Sequence, residues 1–202
     1  MGLSKIGVGL GWDPNNSTGQ EFDLDVSTFL IGENKKCLKP SDFVFFQSEL
    51  RTESFDASKF SSREQWLENT RPMSTDGSVL GSFDDTSGNE SDGGDDETVN
   101  IDLSRVSPQI TEIALVVTIY DAKARNQNFG QVRNSYIRIF DEVTGREELK
   151  YELDEDYSVE TSIEVARLYR KGGEWKFDAM GVGYNEEIDY FFEKYCDPSW
   201  LA

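Results

Sequence analysis

The sequence predicts an all-β fold: an antiparallel β-sandwich with few short helices and one helix near the C-terminus. Hydrophobic residues mostly recur with a period of two. The apolar runs are short, rich in β-branched or aromatic residues, and separated by turn sequences. Helical periodicity is confined to a few short segments. Many short strands joined by tight turns are typical of an antiparallel sandwich or barrel.

The predicted strands share these features and cover residues 6–11, 21–31, 42–47, 113–120, 134–140, 148–153, 159–169 and 174–182. Glycine- or proline-containing turns separate several of them, at residues 13–15, 32–34, 144–145 and 172–173. In the first strand, glycine alternates with apolar residues. This alternation indicates that a bulky side chain packs over the strand.

Two segments have helical signals. Residues 186–196 place Ile188, Phe191, Phe192 and Tyr195 on one helical face, which predicts a C-terminal helix packed on the sandwich. A capping-box pattern predicts a second, short helix around residues 62–69. The polar, serine-rich stretch 48–82 predicts a long insertion between strands. We expect the whole chain, residues 1–202, to form a single domain.

The composition excludes several classes of function. The chain has 39 Asp and Glu against 20 Lys and Arg, a net charge of -19, and no histidine. Because a surface this acidic repels a phosphate backbone, we expect no nucleic-acid partner. The lack of histidine excludes Ser-His-Asp and Cys-His catalysis and every imidazole metal site. Cys37 and Cys196 lack CxxC spacing; free thiols in a reducing compartment are the simpler reading, and one disulfide is the alternative.

The sequence also bears on location. No apolar run reaches the length of a membrane span, and the N-terminus lacks a signal-peptide pattern. These features predict a cytoplasmic protein.

The segment from Pro72 to Ser104 contains no Lys or Arg, and its acidic residues are densest between 84 and 97. The acidic side chains of this densest part are Asp84, Asp85, Glu90, Asp92, Asp95, Asp96 and Glu97. Oxygen donors without nitrogen or sulfur suit Ca²⁺, which takes 6–8 oxygens in a loose geometry. The spacing is not that of an EF-hand. The alternative is a solvated acidic loop, because charge runs usually have that role.

A second acidic cluster lies at the start of a predicted strand. Asp23 and Asp25 alternate with apolar residues, so their carboxylates share one face, roughly 7 Å apart by strand rise. Taken alone, this pattern fits an ordinary solvent-facing strand edge. Two acidic clusters in one small domain repel each other unless a cation lies between them. If the topology brings 23–25 beside 92–97, calcium is the economical explanation.

Four motifs resemble those of the tellurium-resistance TerD family. They are GLGWD at 9–13 followed by FDLDVS at 22–27; DDE at 95–97 followed by IDLS at 101–104; QNFGQV at 127–132; and LYR at 168–170 with GEWKF at 173–177. They occur in the same order as in that family, and the resemblance runs from about residue 6 to 184. Four long motifs in a fixed order are highly specific.

The resemblance implies a β-sandwich that binds calcium, commonly two ions, through the FDLD segment and the acidic loop. By matching position, the implied ligands are Asp23 and Asp25 from the strand and Asp92, Asp95, Asp96 and Glu97 from the loop, with Asp84 or Asp85 as an addition. The family pattern GDGDDE is replaced here by SDGGDDE at 91–97, which leaves the register of the loop open.

The resemblance further implies a non-enzymatic calcium-binding protein of a bacterial tellurite- and stress-resistance system. Calcium would order the facing acidic loops and present a surface to other proteins of that system, including partners at the inner membrane. One alternative is a calcium-dependent membrane or nucleotide-ligand binding module. Another is a metal-dependent hydrolase, but no general acid stands out in the sequence.

Overall fold

The computed structural model describes residues 4–15, 19–88 and 94–201. The strands in these ranges are β1 (Lys5–Gly11), β2 (Leu24–Gly32), β3 (Phe43–Val44), β4 (Val79–Leu80), β5 (Glu97–Asp102), β6 (Ile110–Ile119), β7 (Tyr136–Asp141), β8 (Glu147–Glu152), β9 (Ser162–Lys171) and β10 (Glu174–Tyr184). The α-helices are α1 (Arg63–Asn69), α2 (Ala122–Arg125), α3 (Leu153–Asp156) and α4 (Ile188–Tyr195). Three short 3-10 helices cover Pro40–Asp42, Phe129–Gln131 and Pro198–Leu201.

The strands form two five-stranded sheets, and every pairing between neighbouring strands is antiparallel. The first sheet has the order β4-β5-β1-β7-β8, and the second has the order β10-β9-β6-β2-β3. This architecture confirms the predicted antiparallel sandwich with few short helices and one at the C-terminus.

The main core lies between the two sheets because alternate residues of each strand point inward. Ile6, Val8 and Leu10 of β1 are fully buried there, as are Leu24 and Leu30 of β2. Burial of a side chain of this size contributes about 1.5–3 kcal/mol. The two inner faces together therefore provide the main driving force for the fold.

A second hydrophobic cluster covers the other face of the second sheet. Phe29 and Ile31 alternate with the inward residues of β2 and pack with Phe191 and Phe192 of α4. The amphipathic pattern predicted this contact, and the helix begins at Ile188, two residues later than expected. In the same cluster Cys37 and Cys196 are buried free thiols, and the Cys37 thiol donates to the Asp42 carbonyl at 3.8 Å. Residues 159 positions apart in the chain are thus neighbours.

The alternating glycines of β1 make room for side chains of the adjoining segments. A Cβ at Gly7 would overlap the Phe140 ring, and one at Gly9 would overlap the Asp95 carboxylate. Gly11 meets the Tyr136 ring in the same way. The close approach of these three side chains to the β1 backbone explains why glycine occupies the three positions, as the alternation predicts.

Residues 48–82 leave the second sheet after β3 and contain α1 and β4. The Ser62 hydroxyl accepts a hydrogen bond from the Gln65 N–H and caps α1, whereas the Gln65 side chain accepts from Ser61 instead of Ser62. Arg51 is buried and donates to the Leu67 carbonyl at 2.7 Å and to the Thr70 hydroxyl at 2.7 Å. These hydrogen bonds fix the segment in the absence of a large apolar core.

Strand β5 was not predicted, because its buried face begins with a charged residue. Glu97, Val99 and Ile101 point inward, whereas the residues between them are half-buried and polar. The acidic segment therefore passes directly into the first sheet at Glu97. None of the helices in the described ranges has the length and apolar character needed to cross a bilayer.

Candidate metal centre

The candidate centre lies where β2 begins. Asp23 immediately precedes the strand, and Asp25 is its second residue, paired in register with Thr118 of β6. Both carboxylates point to the same side by strand alternation. Asp23 is only 8% exposed and Asp25 only 4%. The sheet therefore holds two acidic side chains together in a nearly buried position.

A third acidic side chain joins them from the segment between β4 and β5. One carboxylate oxygen each from Asp23, Asp25 and Asp84 lie within 4.8 Å of one another. Asp84 is half-buried. Residues separated by about 60 positions in the chain thus bring three carboxylates to one point.

These carboxylates have few positive partners. Within the ranges that the structure describes, no hydrogen-bond donor contacts the carboxylate of Asp25 or Asp84. The Arg125 guanidinium forms one ion pair with Asp23, at 3.8 Å. Arg51, farther away, lowers the pKa of Asp84 through its charge. Two guanidinium groups therefore act on three acidic groups, and only one of them forms an ion pair. Buried carboxylates without donors are costly unless they are protonated or bind a cation.

The raised pKa values of the three carboxyl groups reflect their burial and the same excess of negative charge. Burial, followed by the nearby Asp84 charge, raises the pKa of Asp23 to about 6. Burial and the Asp23 charge raise the pKa of Asp25 well above its ordinary value. Burial also raises the pKa of Asp84. A divalent cation would reverse these shifts, because its charge favours the ionised form of each carboxylate.

Glu97 adjoins the cluster from the other sheet. It is 4% exposed, and its carboxylate accepts hydrogen bonds from the N–H groups of Val26 at 3.3 Å and Asp85 at 3.5 Å. Burial raises the pKa of Glu97 well above its ordinary value, and the charges of Asp25 and Asp84 raise it further. Glu97 therefore connects β2, β5 and the 84–85 segment around the centre.

Asp85 shapes the loop beside the centre. Its Oδ1 accepts hydrogen bonds from the N–H of Ser87 at 2.8 Å and the N–H of Gly88 at 3.0 Å. Gly88 has a φ of +71°, a left-handed conformation that glycine adopts without strain. The carboxylate of Asp85 thus serves a tight turn directly after Asp84.

Two of the remaining predicted ligands, Asp95 and Asp96, have other partners. Asp95 forms a bidentate pair with Arg138, both bonds at 2.8 Å, and accepts from the Tyr136 hydroxyl at 2.9 Å. Asp96 accepts from the Trp12 N–H at 2.9 Å. Neither residue belongs to the cluster of three carboxylates. Asp92 lies outside the described residues.

Trp12 and Gln127, from two of the sequence motifs, hold the backbone that leads into the centre. The Trp12 indole N–H donates to the Phe22 carbonyl at 3.0 Å. The Gln127 amide donates to the carbonyls of Gln20 at 3.1 Å and Glu21 at 3.2 Å. These hydrogen bonds position Asp23.

Arg125 is a residue of the candidate centre that the sequence analysis did not identify. In the structure its guanidinium lies 3.8 Å from Asp23 and 4.9 Å from the centre of the Tyr120 ring. The pairing depends on β2 and β6 being neighbours, which places 120–125 beside Asp23.

The donor set is chemically uniform. Asp23, Asp25 and Asp84 supply carboxylate oxygens, and Glu97 adds another carboxylate nearby. Hard oxygen donors with no nitrogen or sulfur suit calcium or magnesium, and the loose arrangement of side chains from separate segments suits calcium better. The residues present therefore fit the metal that the family resemblance implies.

Comparison with known proteins places the chain among TerD-like proteins. A family model described as the TerD domain matches residues 1–195. The chain is 45% identical to general stress protein 16U of Bacillus subtilis, over 91% of this chain and 82% of that protein. It is 40% identical to tellurium resistance protein TerD of Serratia marcescens, over 90% and 82%.

A solved structure has the same fold. The crystal structure of a homologue of telluride resistance protein TerD from Streptomyces coelicolor superposes with a TM-score of 0.72. The match covers 94% of this chain and 95% of that one, at 21% sequence identity. Identity this low supports the sandwich architecture alone.

Proposed function

The chain belongs to the TerD family, and we propose that it is a non-enzymatic calcium-binding protein of a bacterial tellurium- and stress-resistance system. The relatives named for tellurium resistance and general stress support the biological setting. The carboxylate cluster supports the chemistry. In this proposal the metal links β2 to the acidic segment.

One observation supports calcium binding above all. Asp23 and Asp25 are buried and Asp84 is half-buried, one oxygen of each lies within 4.8 Å of the others, and the only ion pair to the three among the described residues is that of Arg125 with Asp23. An arrangement of this kind costs folding free energy in the absence of a cation. A cation bound at the site would offset that unfavourable free energy.

The proposed ligands are Asp23, Asp25 and Asp84, and Glu97 is the neighbouring carboxylate that would support the coordination. Backbone carbonyls and water would fill the remaining positions of a calcium shell. A second ion and a part for Asp92 remain predictions from the resemblance. Asp95 and Asp96 have the structural roles described above, so they are the weaker candidates.

The proposed consequence is order in the acidic segment. Calcium would join the start of β2 to residues 84–97 and hold them as a defined surface for another protein of the same system. This role requires no catalysis. At a calcium concentration one hundred times Kd, a single ion adds about 2.7 kcal/mol to the free energy of unfolding.

The test is to melt the chelator-treated protein with calcium, with magnesium and with chelator alone. We expect calcium to raise the melting temperature by roughly 5–10 °C, since about 1 kcal/mol shifts a domain of this size by about 2–4 °C. Magnesium should have a smaller effect, because it demands a stricter octahedron. Identical melting temperatures in all three conditions would contradict the proposal, and calorimetric titration with calcium gives the number of ions.

A further inference from the structure

A cavity of about 610 Å³ lies on the face of the second sheet that α4 partly covers. Its walls come from the start of α4, from residues 40–50 and from the end of β6. Its aromatic lining consists of Phe43, Phe45, Phe46, Tyr120, Phe192 and Trp200. The volume matches that of sites that bind small molecules.

The rings around this cavity are arranged to support one another while part of their surface stays open. Phe45 stacks on Phe43 with ring centroids 4.2 Å apart, and Phe46 meets Tyr120 edge to face at 5.6 Å. Phe43 is buried, Phe45 and Phe46 are half-buried, and Tyr120 is 40% exposed. Ring surfaces held in fixed positions favour a ligand with an apolar body or a cationic group.

The charged residues that line the cavity are all acidic: Asp25, Glu49, Asp121, Glu187 and Asp189. No Lys or Arg is among the described residues of the lining. One of the five, Glu49, is paired with Arg63. Asp25 is buried, so the negative potential of the cavity comes from Asp121, Glu187 and Asp189. Carboxylates beside exposed ring faces are the combination that recognises organic cations.

The chain provides an example of this recognition at the edge of the cavity. The Arg125 guanidinium lies over the Tyr120 ring at 4.9 Å and within 3.8 Å of the Asp23 carboxylate. Tyr120 is itself part of the cavity lining. An organic cation inside the cavity would meet the same two kinds of group, an aromatic face and a carboxylate.

We infer that this cavity binds a small organic cation, an ammonium or guanidinium group attached to an apolar body. The apolar body contacts the Phe45 and Phe46 rings, and the positive group faces the acidic lining. A phosphate or carboxylate ligand is disfavoured by the same lining. A second copy of the chain is disfavoured too, because each copy has a net charge of -19. This inference does not depend on calcium binding, although Asp25 borders both sites.

The test uses three probes of matched shape: 2-phenylethylammonium, neutral 2-phenylethanol and anionic phenylacetate. Each is titrated into the chelator-treated full-length protein and followed by calorimetry and by tryptophan fluorescence, since Trp200 lines the cavity. We expect the cation to bind about tenfold more tightly than the alcohol. We expect no measurable binding of phenylacetate.

Variants then locate the binding site. We expect Phe46→Ala to weaken binding of the cation about tenfold and Asp189→Asn to weaken it roughly two- to fivefold. The matched controls are Phe55→Ala and Asp178→Asn, which change exposed residues of the same types outside the cavity lining and should leave the affinity unchanged. If circular dichroism shows that Phe46→Ala disturbs folding, the solvent-exposed variant Asp189→Asn alone tests the location of the binding site.

Equal affinity for the alcohol and the cation would reduce the cavity to an apolar pocket and overturn the inference. Tighter binding of phenylacetate would overturn it as well, as would a dimer in sedimentation that Phe46→Ala abolishes.

Repeating the calcium melts on the Asp189→Asn variant separates the two proposals. A retained calcium shift with weakened cation binding means that the sites are distinct, and cation binding without any calcium shift contradicts only the metal proposal.

Discussion

Glu97 accepts a hydrogen bond from the N–H of Val26 at 3.3 Å, so the first residue of β5 is joined to β2 in the opposite sheet. This contact places a buried carboxylate beside Asp25, and the charges of Asp25 and Asp84 in turn raise the pKa of Glu97. The acidic groups are therefore held together by the backbone despite their repulsion. Where the fold holds like charges together in this way, a bound cation adds most to the free energy of unfolding.

Asp25→Asn should act in opposite directions with and without calcium. In chelator it removes one of the repelling carboxylates, so we expect the melting temperature to rise by a few degrees, corresponding to about 1 kcal/mol. In calcium the variant lacks a ligand, so the calcium-induced rise should be lost. The control Asp178→Asn removes an exposed carboxylate outside the centre and should change neither value. A full calcium shift in Asp25→Asn would exclude this residue as a ligand.

The chelator-treated protein should become more stable as the pH falls from about 7 to 5. Burial raises the pKa of Asp23 to about 6 in the folded state, above its ordinary value of 3.8. Over this window the folded protein binds more protons than the unfolded chain, so the free energy of unfolding decreases as the pH rises. Denaturant unfolding at several pH values measures the slope.

In saturating calcium the slope between pH 7 and 5 should largely vanish, because the bound metal keeps the folded carboxylates ionised and the unfolded ones protonate only near their ordinary pKa of 3.8. Asp23→Asn should flatten the slope seen in chelator. A slope in chelator that is unaffected by Asp23→Asn would show that other groups cause it.

Asp95→Asn should lower stability without altering the response to calcium. The asparagine keeps the shape over Gly9 but loses the bidentate pair with Arg138. We expect a loss of about 1–3 kcal/mol, the usual range for hydrogen bonds to a charged group. Thermal melting with and without calcium measures both effects. Loss of the calcium shift in this variant would instead restore Asp95 to the ligand set that the sequence predicted.

The two cysteines should be unreactive in the native protein. Both are buried, and the neighbouring Cys196 thiol together with burial raises the pKa of the Cys37 thiol. Thiolate is the reactive form, so a disulfide-exchange reagent should label neither residue until the chain unfolds. In guanidinium chloride we expect two titratable thiols. Fast labelling of the folded protein, or no thiol after unfolding, would contradict this prediction.

Sequence reasoning predicted the sandwich and the shared face of Asp23 and Asp25, because both follow from strand alternation within a single segment. It did not single out Asp84 from the other acidic residues. Which acidic side chains remain for a metal depends on which of them accept hydrogen bonds from the protein. Asp95 accepts from Arg138 only because β5 and β7 lie on the two sides of β1. Partners of this kind are set by topology, and local spacing does not reveal them.

The pairing of β1 has a consequence for how the chain is made. β1 lies in the middle of its sheet, yet its partners are Glu97–Asp102 and Tyr136–Asp141, synthesised long after it. As the chain leaves the ribosome, both edges of β1 stay unpaired until residue 102 has emerged, and one edge stays unpaired until residue 141 has emerged. Such exposed edges invite association with other chains, so we expect early biogenesis to be the stage most vulnerable to aggregation and most dependent on chaperones.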